Sequence, residues 1–544
     1  MPARESRTAL YVVAGVLLAK RLLTAHYGLN REAGGEFQAV LHILEGRLIY
    51  RDFFWYHGFL PLYIDAFLFK IFSPQVYWIR LAETVYAVAG GVLACKVALR
   101  VLPPTAAVVS ALLAFSGLLI PLHVSGQLLA LTLEIAALHF LIRHVESNLS
   151  PPLVASGFFT GLTFLVQMFP VGVVTLFGSI LAIIFYAVFD TRSRIAGLKP
   201  FLLGFFPLPV LAYGLLSVFV PQTELIRSLF PMYTGYEVSP EKFSGFLFPP
   251  PWPDFSAGWA PAQVVTALNR YTVVNFRWWL IVVVFFWGLI EFFMDLKKPG
   301  TEPRQRLILG TLVLFAPLFE IKFLIYHGRV GQASALLNLL PTYTLLLYLT
   351  TRRIAALSTF VGGILLCVYF IYPLGKYGWF FHNNAQPLGL PYTDHIKVSP
   401  YKKDLYDNVH RFLLEHSDPG ERVVMAEINR YHTIFAGRRD LFEDNFLTFF
   451  RASFYPSQGL ASDRVSVFPV EREIVEKIEQ AGIRIILFPE DFRKFAPDGH
   501  SPLLDFLEEK WQRVALFGDA SLVNPFENES RLGIYMPRTH PASQ

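Results

Sequence analysis

Residues 31–63 read REAGGEFQAVLHILEGRLIYRDFFWYHGFLPLY, and this one stretch holds side chains able to move a proton and others able to hold an anion. Glu32, Glu36 and Asp52 supply carboxylates, and a carboxylate at an aqueous face can take the proton of an attacking hydroxyl. Arg51 and His57 supply groups that can stabilise a departing phosphate. Ala39, Val40, Ile43 and Leu44 recur at helical spacing, which predicts an amphipathic helix over 36–45. Glu32 and Glu36 stand one turn apart near its start, where acids also complement the helix dipole. The same residues therefore admit a structural role as well. Arg51 beside Asp52 has the form of a surface ion pair of little energetic weight, and His57 that of an interfacial anchor. Further along, Lys322 precedes the short segment HGRVGQ, which brings His327 and Arg329. These three are candidate phosphate ligands, although Lys322 could equally snorkel from a helix end.

The elements that must position these groups are dominated by apolar residues. The chain has 544 residues, 53% of them hydrophobic and only 16% charged, where soluble domains carry roughly 25% charged residues. Mean hydropathy is +0.43. Residues 1–372 hold 27 basic and 18 acidic side chains, while 373–544 hold 20 and 24. The net charge of +5 thus hides a basic, membrane-like part and a mildly acidic, soluble-like tail. Basic residues fall between apolar runs rather than on one face, which argues against a nucleic-acid partner. Cys95 and Cys367 lie in apolar runs and imply no disulfide framework.

A membrane-spanning helix needs about 20 mostly apolar residues. Stretches near 8–25, 76–99, 104–121, 127–142, 152–169, 171–189, 200–220, 278–294, 306–325, 333–350 and 354–372 satisfy this, for about eleven spans. The first is read as a retained span, since no small-residue cleavage site follows it. Segment 58–72 is short and carries Asp65 and Lys70, so it is read as lying in the membrane plane. That choice places Lys96, Arg100, Arg143, Lys199, Arg352 and Arg353, with other cations, on one side and only Arg329 in the short loops opposite. The positive-inside rule then puts the N-terminus in the cytoplasm. Lys20 and Arg21 fit this poorly unless they snorkel to headgroups. Loops 26–75 and 221–277 and the tail 373–544 fall on the outer face. Within the second loop, Trp252 and Trp259 suit an aromatic belt or a lid over an acceptor. The tail alternates helical and strand-like runs, predicting a small α/β domain. It has no GxGxxG, Walker A or CxxC motif, so nucleotide-driven transport is not expected.

An acid followed by Ala39, Gly46, Tyr50, Asp52, Phe53, His57, Pro61 and Leu62 resembles the first outer loop of GT-C class glycosyltransferases that use polyprenyl-phosphate sugars. The pattern is most similar to their protein O-mannosyltransferase and aminoarabinose-transferase branch. The resemblance continues in Arg80, in GFFTGLTFLVQMFP at 157–170 and in the tail ending RLGIYMPR, so it covers nearly the whole chain. The class places an aspartate in this loop, commonly beside a glutamate, whereas here both acids are glutamates. Counting back from Gly46 and Tyr50 selects Glu32 as the base, while the local Gly-Glu-Phe favours Glu36. Gln167 stands where many relatives carry a lysine.

The resemblance implies a polytopic α-helical membrane protein: a GT-C-like domain at 1–372 and an extracytoplasmic α/β domain at 373–544. It implies an inverting glycosyltransferase that moves a sugar from a polyprenyl-phosphate carrier to a glycan, lipid or protein acceptor. Glu32, Glu36 and Asp52 would be the acids, and Arg51, His57, Lys322, His327 and Arg329 the groups that bind lipid phosphate. A divalent cation held by carboxylate oxygens and His57 would suit the leaving group, though the ligand spacing does not define one. Two other functions remain open: a flippase for a lipid-linked sugar and a non-catalytic scaffold. Short inner loops point to a prokaryotic plasma membrane.

Overall fold

Apolar runs broken by proline and by charge fold into a helical bundle on which a mixed sheet sits. The computed structural model describes residues 3–29, 31–55, 57–115, 125–189, 197–229, 280–297, 303–327, 340–353, 355–367, 371, 384–426, 430–444, 468–490, 501–518 and 531–538. Helix α1 is Ala3–Thr24, α2 Arg31–Leu44, α3 Leu60–Phe72, α4 Val76–Ala98 and α5 Pro104–Ala114. They are followed by α6 (Ser125–Ser147), α7 (Ser150–Val166), a π-turn at Met168–Gly172 and α8 (Val173–Phe189). Then come α9 (Leu198–Phe205), α10 (Pro207–Phe219) and α11 (Gln222–Leu229). Further helices cover 280–297, Pro303–His327, Leu340–Arg353 and Ala355–Leu366.

Each of the eleven apolar stretches contains a described helix. Among the described residues three helical segments, Val76–Ala98, Gly126–Ser147 and Leu198–Phe219, are long and apolar enough to cross a membrane. Pro104–Ala114, Ser150–Val166 and Val173–Phe189 are shorter apolar helices. Helix α3 has only 13 residues. At 1.5 Å per residue that is about 20 Å, less than the ~30 Å hydrocarbon thickness. The Gly157-x-x-x-Gly161 spacing lets α7 meet α9 backbone to backbone. A Cβ at Gly157 would stand 2.0 Å from the Phe201 carbonyl oxygen, so only glycine permits this seam.

Lys20 and Arg21 do not reach for headgroups. Both are buried; Lys20 donates to the Phe115 carbonyl at 3.2 Å, and Arg21 pairs with Glu83 at 3.5 Å. Helices α4 and α5 already pack against α1, so a neighbouring carboxylate and carbonyl satisfy the charges that water would otherwise have to solvate. The buried Glu134 in α6 accepts a hydrogen bond from Thr175 at 3.1 Å, which is the hydroxyl pairing expected of an acid among apolar helices.

The tail forms a five-stranded sheet in the order β4-β3-β5-β7-β6, with β3 (Arg422–Met425), β4 (Arg439–Asp440), β5 (Ile486–Pro489), β6 (Trp511–Phe517) and β7 (Leu532–Pro537). The β4-β3-β5 half is parallel and the β5-β7-β6 half antiparallel. A two-stranded ribbon, β1 (Gln386–Pro387) with β2 (Lys397–Val398), precedes it. The alternation of helical and strand-like runs is thus present, as a mixed sheet.

The tail and the first loop share one core. Leu29, Phe37, Val40, Tyr50, Phe53 and Trp55 of the loop pack in one cluster with Leu62 and Phe69 of α3, and with Val398, Tyr406, Tyr431 and Phe435 of the tail. The loop backbone is also tied down. Lys397 N donates to the His26 carbonyl at 2.6 Å, and Gly28 N to the Lys397 carbonyl at 2.8 Å. Lys402 Nζ donates to the Leu29 carbonyl at 2.7 Å. Phe37 is fully buried at the centre of this cluster. Phe37→Ala is therefore expected to destabilise the fold by about 3–5 kcal/mol, read as a lowered thermal midpoint in detergent and earlier proteolysis of the tail.

Candidate functional site

A narrow cleft lies where the first loop meets the ends of the bundle helices. It is lined by Glu36, Trp55, His57, Gly58, Pro61, Gly126, Gln127, Val166 and Gln167. Four elements converge here: α2, the start of α3, the start of α6 and the end of α7. Glu36 falls on the buried face of α2 between Gly35 and Phe37, and its side chain is 1% exposed.

The loop carrying His57 is held from both sides. Tyr50 takes a left-handed conformation at φ 67°, closed by its own N–H to the Phe53 carbonyl at 3.0 Å. Its hydroxyl then donates to the His57 carbonyl at 2.6 Å, and burial pushes the Tyr50 phenol well above its usual range. Next to it, Gly58 N–H donates to the Val166 carbonyl at 3.0 Å. A Cβ on Gly58 would lie 2.0 Å from the Leu165 oxygen. The Tyr50 hydroxyl and the Gly58 N–H thus fix the backbone of the cleft wall.

On the opposite side of the sequence, α7 stops at Gln167, which has an extended conformation (φ −156°, ψ 90°). Its N–H donates to the Thr163 carbonyl at 2.8 Å, and its own carbonyl accepts from Gly172 at 2.9 Å. The π-turn that follows therefore fixes the Gln167 backbone between two helices. Such turns recur at functional sites.

Asp52 lies outside this lining. It pairs with Arg51 at 2.8 Å and accepts from the Leu48 N–H at 2.7 Å. The Arg51 hydrogen bond and then the Leu48 N–H hold its carboxyl down to about 2. A group that acidic is a weak base, and the arrangement instead closes the 48–52 turn. Arg51 is exposed and engaged with Asp52 rather than with the cleft. The helix at Arg31–Leu44 includes Glu32, and that at Pro303–His327 includes Lys322 and His327. The side chains of all three, and Arg329 altogether, lie outside the described residues. So do Trp252 and Trp259 of the second loop.

A further cluster was not anticipated. Arg47 donates to the Asp52 carbonyl at 2.9 Å and pairs with Glu443 at 3.4 Å and with Asp444. Its guanidinium stands 3.0 Å from His42 Nδ1. His42, Glu443 and Asp444 have metal-ligand spacing, their donor atoms lying within 4.8 Å of one another, but Arg47 already supplies the positive charge there. Burial, then Arg47, pushes the His42 pKa down, and burial, then Asp444, pushes that of Glu443 up. No sequence spacing could join residue 42 to 443. The contribution of Gln127, by contrast, is foreshadowed only by a polar break before an apolar run.

The fold is similar to that of solved GT-C glycosyltransferases. It aligns with ArnT from Cupriavidus metallidurans, bound to undecaprenyl phosphate, over 98% of both chains at TM-score 0.50 and 12% identity. It also aligns with the apo oligosaccharyltransferase of Archaeoglobus fulgidus over 92% of this chain and 72% of that one, at TM-score 0.50 and 13% identity. No family profile and no curated protein matches the chain in sequence. The protein is accordingly a multi-pass integral membrane protein of GT-C-like architecture.

Two outcomes follow from the geometry. Gly58→Ala forces the loop off α7 and is expected to destabilise by about 1–3 kcal/mol, seen as a lower thermal midpoint. The depressed Asp52 pKa means its stabilising contribution is present above the ordinary carboxylate range and lost as pH falls through about 2. Because the pair is partly solvated, Asp52→Asn should lower stability at pH 7 by less than ~1 kcal/mol, and thermal scans between pH 7 and pH 2 should converge with wild type at the acid end.

Proposed function

We propose that this protein is an inverting glycosyltransferase that takes its sugar from a polyprenyl-phosphate carrier on the outer face of the membrane, with Glu36 as the base. The observation that carries this reading is the position of Glu36, a buried carboxylate in a cleft beside His57, within a fold like that of the undecaprenyl-phosphate-bound ArnT. In the reaction, the acceptor hydroxyl oxygen attacks the anomeric carbon as its proton passes to Glu36. The bond from that carbon to the phosphate oxygen breaks, the configuration inverts, and polyprenyl phosphate leaves.

His57, with Lys322, His327 and Arg329 from the helix end and segment beyond it, would receive the charge that develops on phosphate. Glu32 is the alternative base, one helical turn before Glu36. The carboxylates and His57 would also accept a divalent cation that neutralises the leaving group. The reading further includes about eleven spans in a domain at 1–372, an outer α/β domain at 373–544 and a cytoplasmic N-terminus in a prokaryotic plasma membrane. The acceptor is a glycan, lipid or protein presented outside, and the first-loop motif favours the protein O-mannosyltransferase and aminoarabinose-transferase branch.

The test is sugar release and transfer by purified protein from a panel of undecaprenyl-phosphate sugars. Glu36→Gln should reduce turnover by at least ~100-fold, whereas Asp52→Asn should reduce it by less than about tenfold, since a carboxyl near 2 is a poor proton acceptor. Collapse in Glu32→Gln with Glu36→Gln active would move the base to Glu32. Tight lipid-sugar binding with no turnover under any metal or acceptor would replace the enzyme with a carrier or scaffold.

A further inference from the structure

The cleft contains two carboxamides that the transfer mechanism leaves without work. Gln167 is 3% exposed, and its Oε1, like that of Gln127, has no hydrogen-bond partner among the described residues. Both residues line the cleft with Glu36. Buried polar atoms are normally paired, so two bare acceptors beside a carboxylate mark a place where a ligand supplies donors. The Gln167 backbone is held from both sides by the Thr163 carbonyl and the Gly172 N–H, so its side chain is presented from a fixed support.

The charge balance separates the two ends of a lipid-linked sugar. The described residues lining the cleft include one carboxylate, one imidazole, two carboxamides and an indole, and among them no lysine or arginine. A phosphate offers only acceptor oxygens and negative charge, which would face the Glu36 carboxylate unfavourably. Sugar hydroxyls both donate and accept, so they can satisfy a carboxamide in either orientation.

We propose, resting on the glycosyltransferase reading, that Gln167 and Gln127 are specificity-determining residues that hold the hydroxyls of the transferred sugar ring, while the phosphate lies on the His57 side of the cleft. This subsite reads the sugar through neutral hydrogen bonds rather than through charge.

The test measures binding by full-length protein in nanodiscs of undecaprenyl phosphate, and of the same lipid carrying glucose, mannose, galactose or arabinose. Deoxy analogues of the best sugar complete the set. Gln167→Leu is expected to weaken the sugar-bearing lipid by about 3- to 10-fold, the value of a neutral hydrogen bond, and to change the bare lipid by less than about twofold. At least one deoxy analogue should bind wild type and Gln167→Leu equally. Should Gln167→Leu fail to fold, Gln127→Leu, at a partly exposed position, carries the same comparison. Equal loss for both lipids would move the carboxamides to the phosphate, and no loss for either would remove them from recognition; each overturns the inference. Wild-type protein that binds the bare lipid no less tightly than any sugar-bearing one overturns it too, whereas wild-type protein that binds neither overturns the glycosyltransferase reading itself.

Discussion

The docking of the tail onto the first loop is the constraint from which the rest of the site follows. Residues 25–29 run as irregular backbone through a buried region, and such backbone is tolerated only when its polar groups are paired. The tail supplies Lys397 main chain and the Lys402 ammonium, and α4 supplies the Arg80 guanidinium, which donates to the Ala25 and Tyr27 carbonyls at 2.9 and 3.0 Å. Once these are made, α2 is pressed between the bundle and the short helix Tyr431–Phe435, and Gly34 allows the approach: a Cβ there would meet Arg430 N at 3.0 Å. Glu36 is buried as a consequence of this packing.

The same logic explains the charges inside the bundle. Lys20, Arg21, Arg80 and Glu83 gather near the end of α1 and the start of α4, all of them buried. Lys20 and Arg80 donate to main-chain carbonyls, and Arg21 pairs with Glu83. Breaking one such pair leaves a buried charge uncompensated, which is why these groups belong to the scaffold beneath the cleft. The cleft differs in kind. Its amide oxygens are left for something else to satisfy, and its wall is set by the Tyr50 hydroxyl and the Gly58 N–H. That wall is rigid while the two amide oxygens stay open, and the proposed sugar subsite rests on this contrast.

Much of the fold was legible in the sequence because its signals are local. Apolar length marked each helix of the bundle, the period of Ala39, Val40, Ile43 and Leu44 marked α2, and Pro61 with Asp65 and Lys70 marked a short α3. The carboxylates of residues 31–63 were legible as chemistry in the same way, since residue type alone states what a group can donate or accept. The fate of Lys20 and Arg21 was not, because snorkelling and internal pairing look alike until neighbouring helices are in place.

What the sequence alone determined, then, was the class of solvent each segment requires and the inventory of reactive groups. Only the tertiary structure decided which groups face one another. Glu32, Glu36 and Asp52 are equivalent as carboxylates in the sequence. Yet Asp52 is consumed by Arg51 and the Leu48 N–H, while Glu36 shares a cleft with Gln127 and Gln167, which lie more than ninety residues further along the chain. Proton affinity and hydrogen-bond demand depend on burial and on partners a few ångströms away. Those distances are set by long-range packing and leave no trace in local spacing.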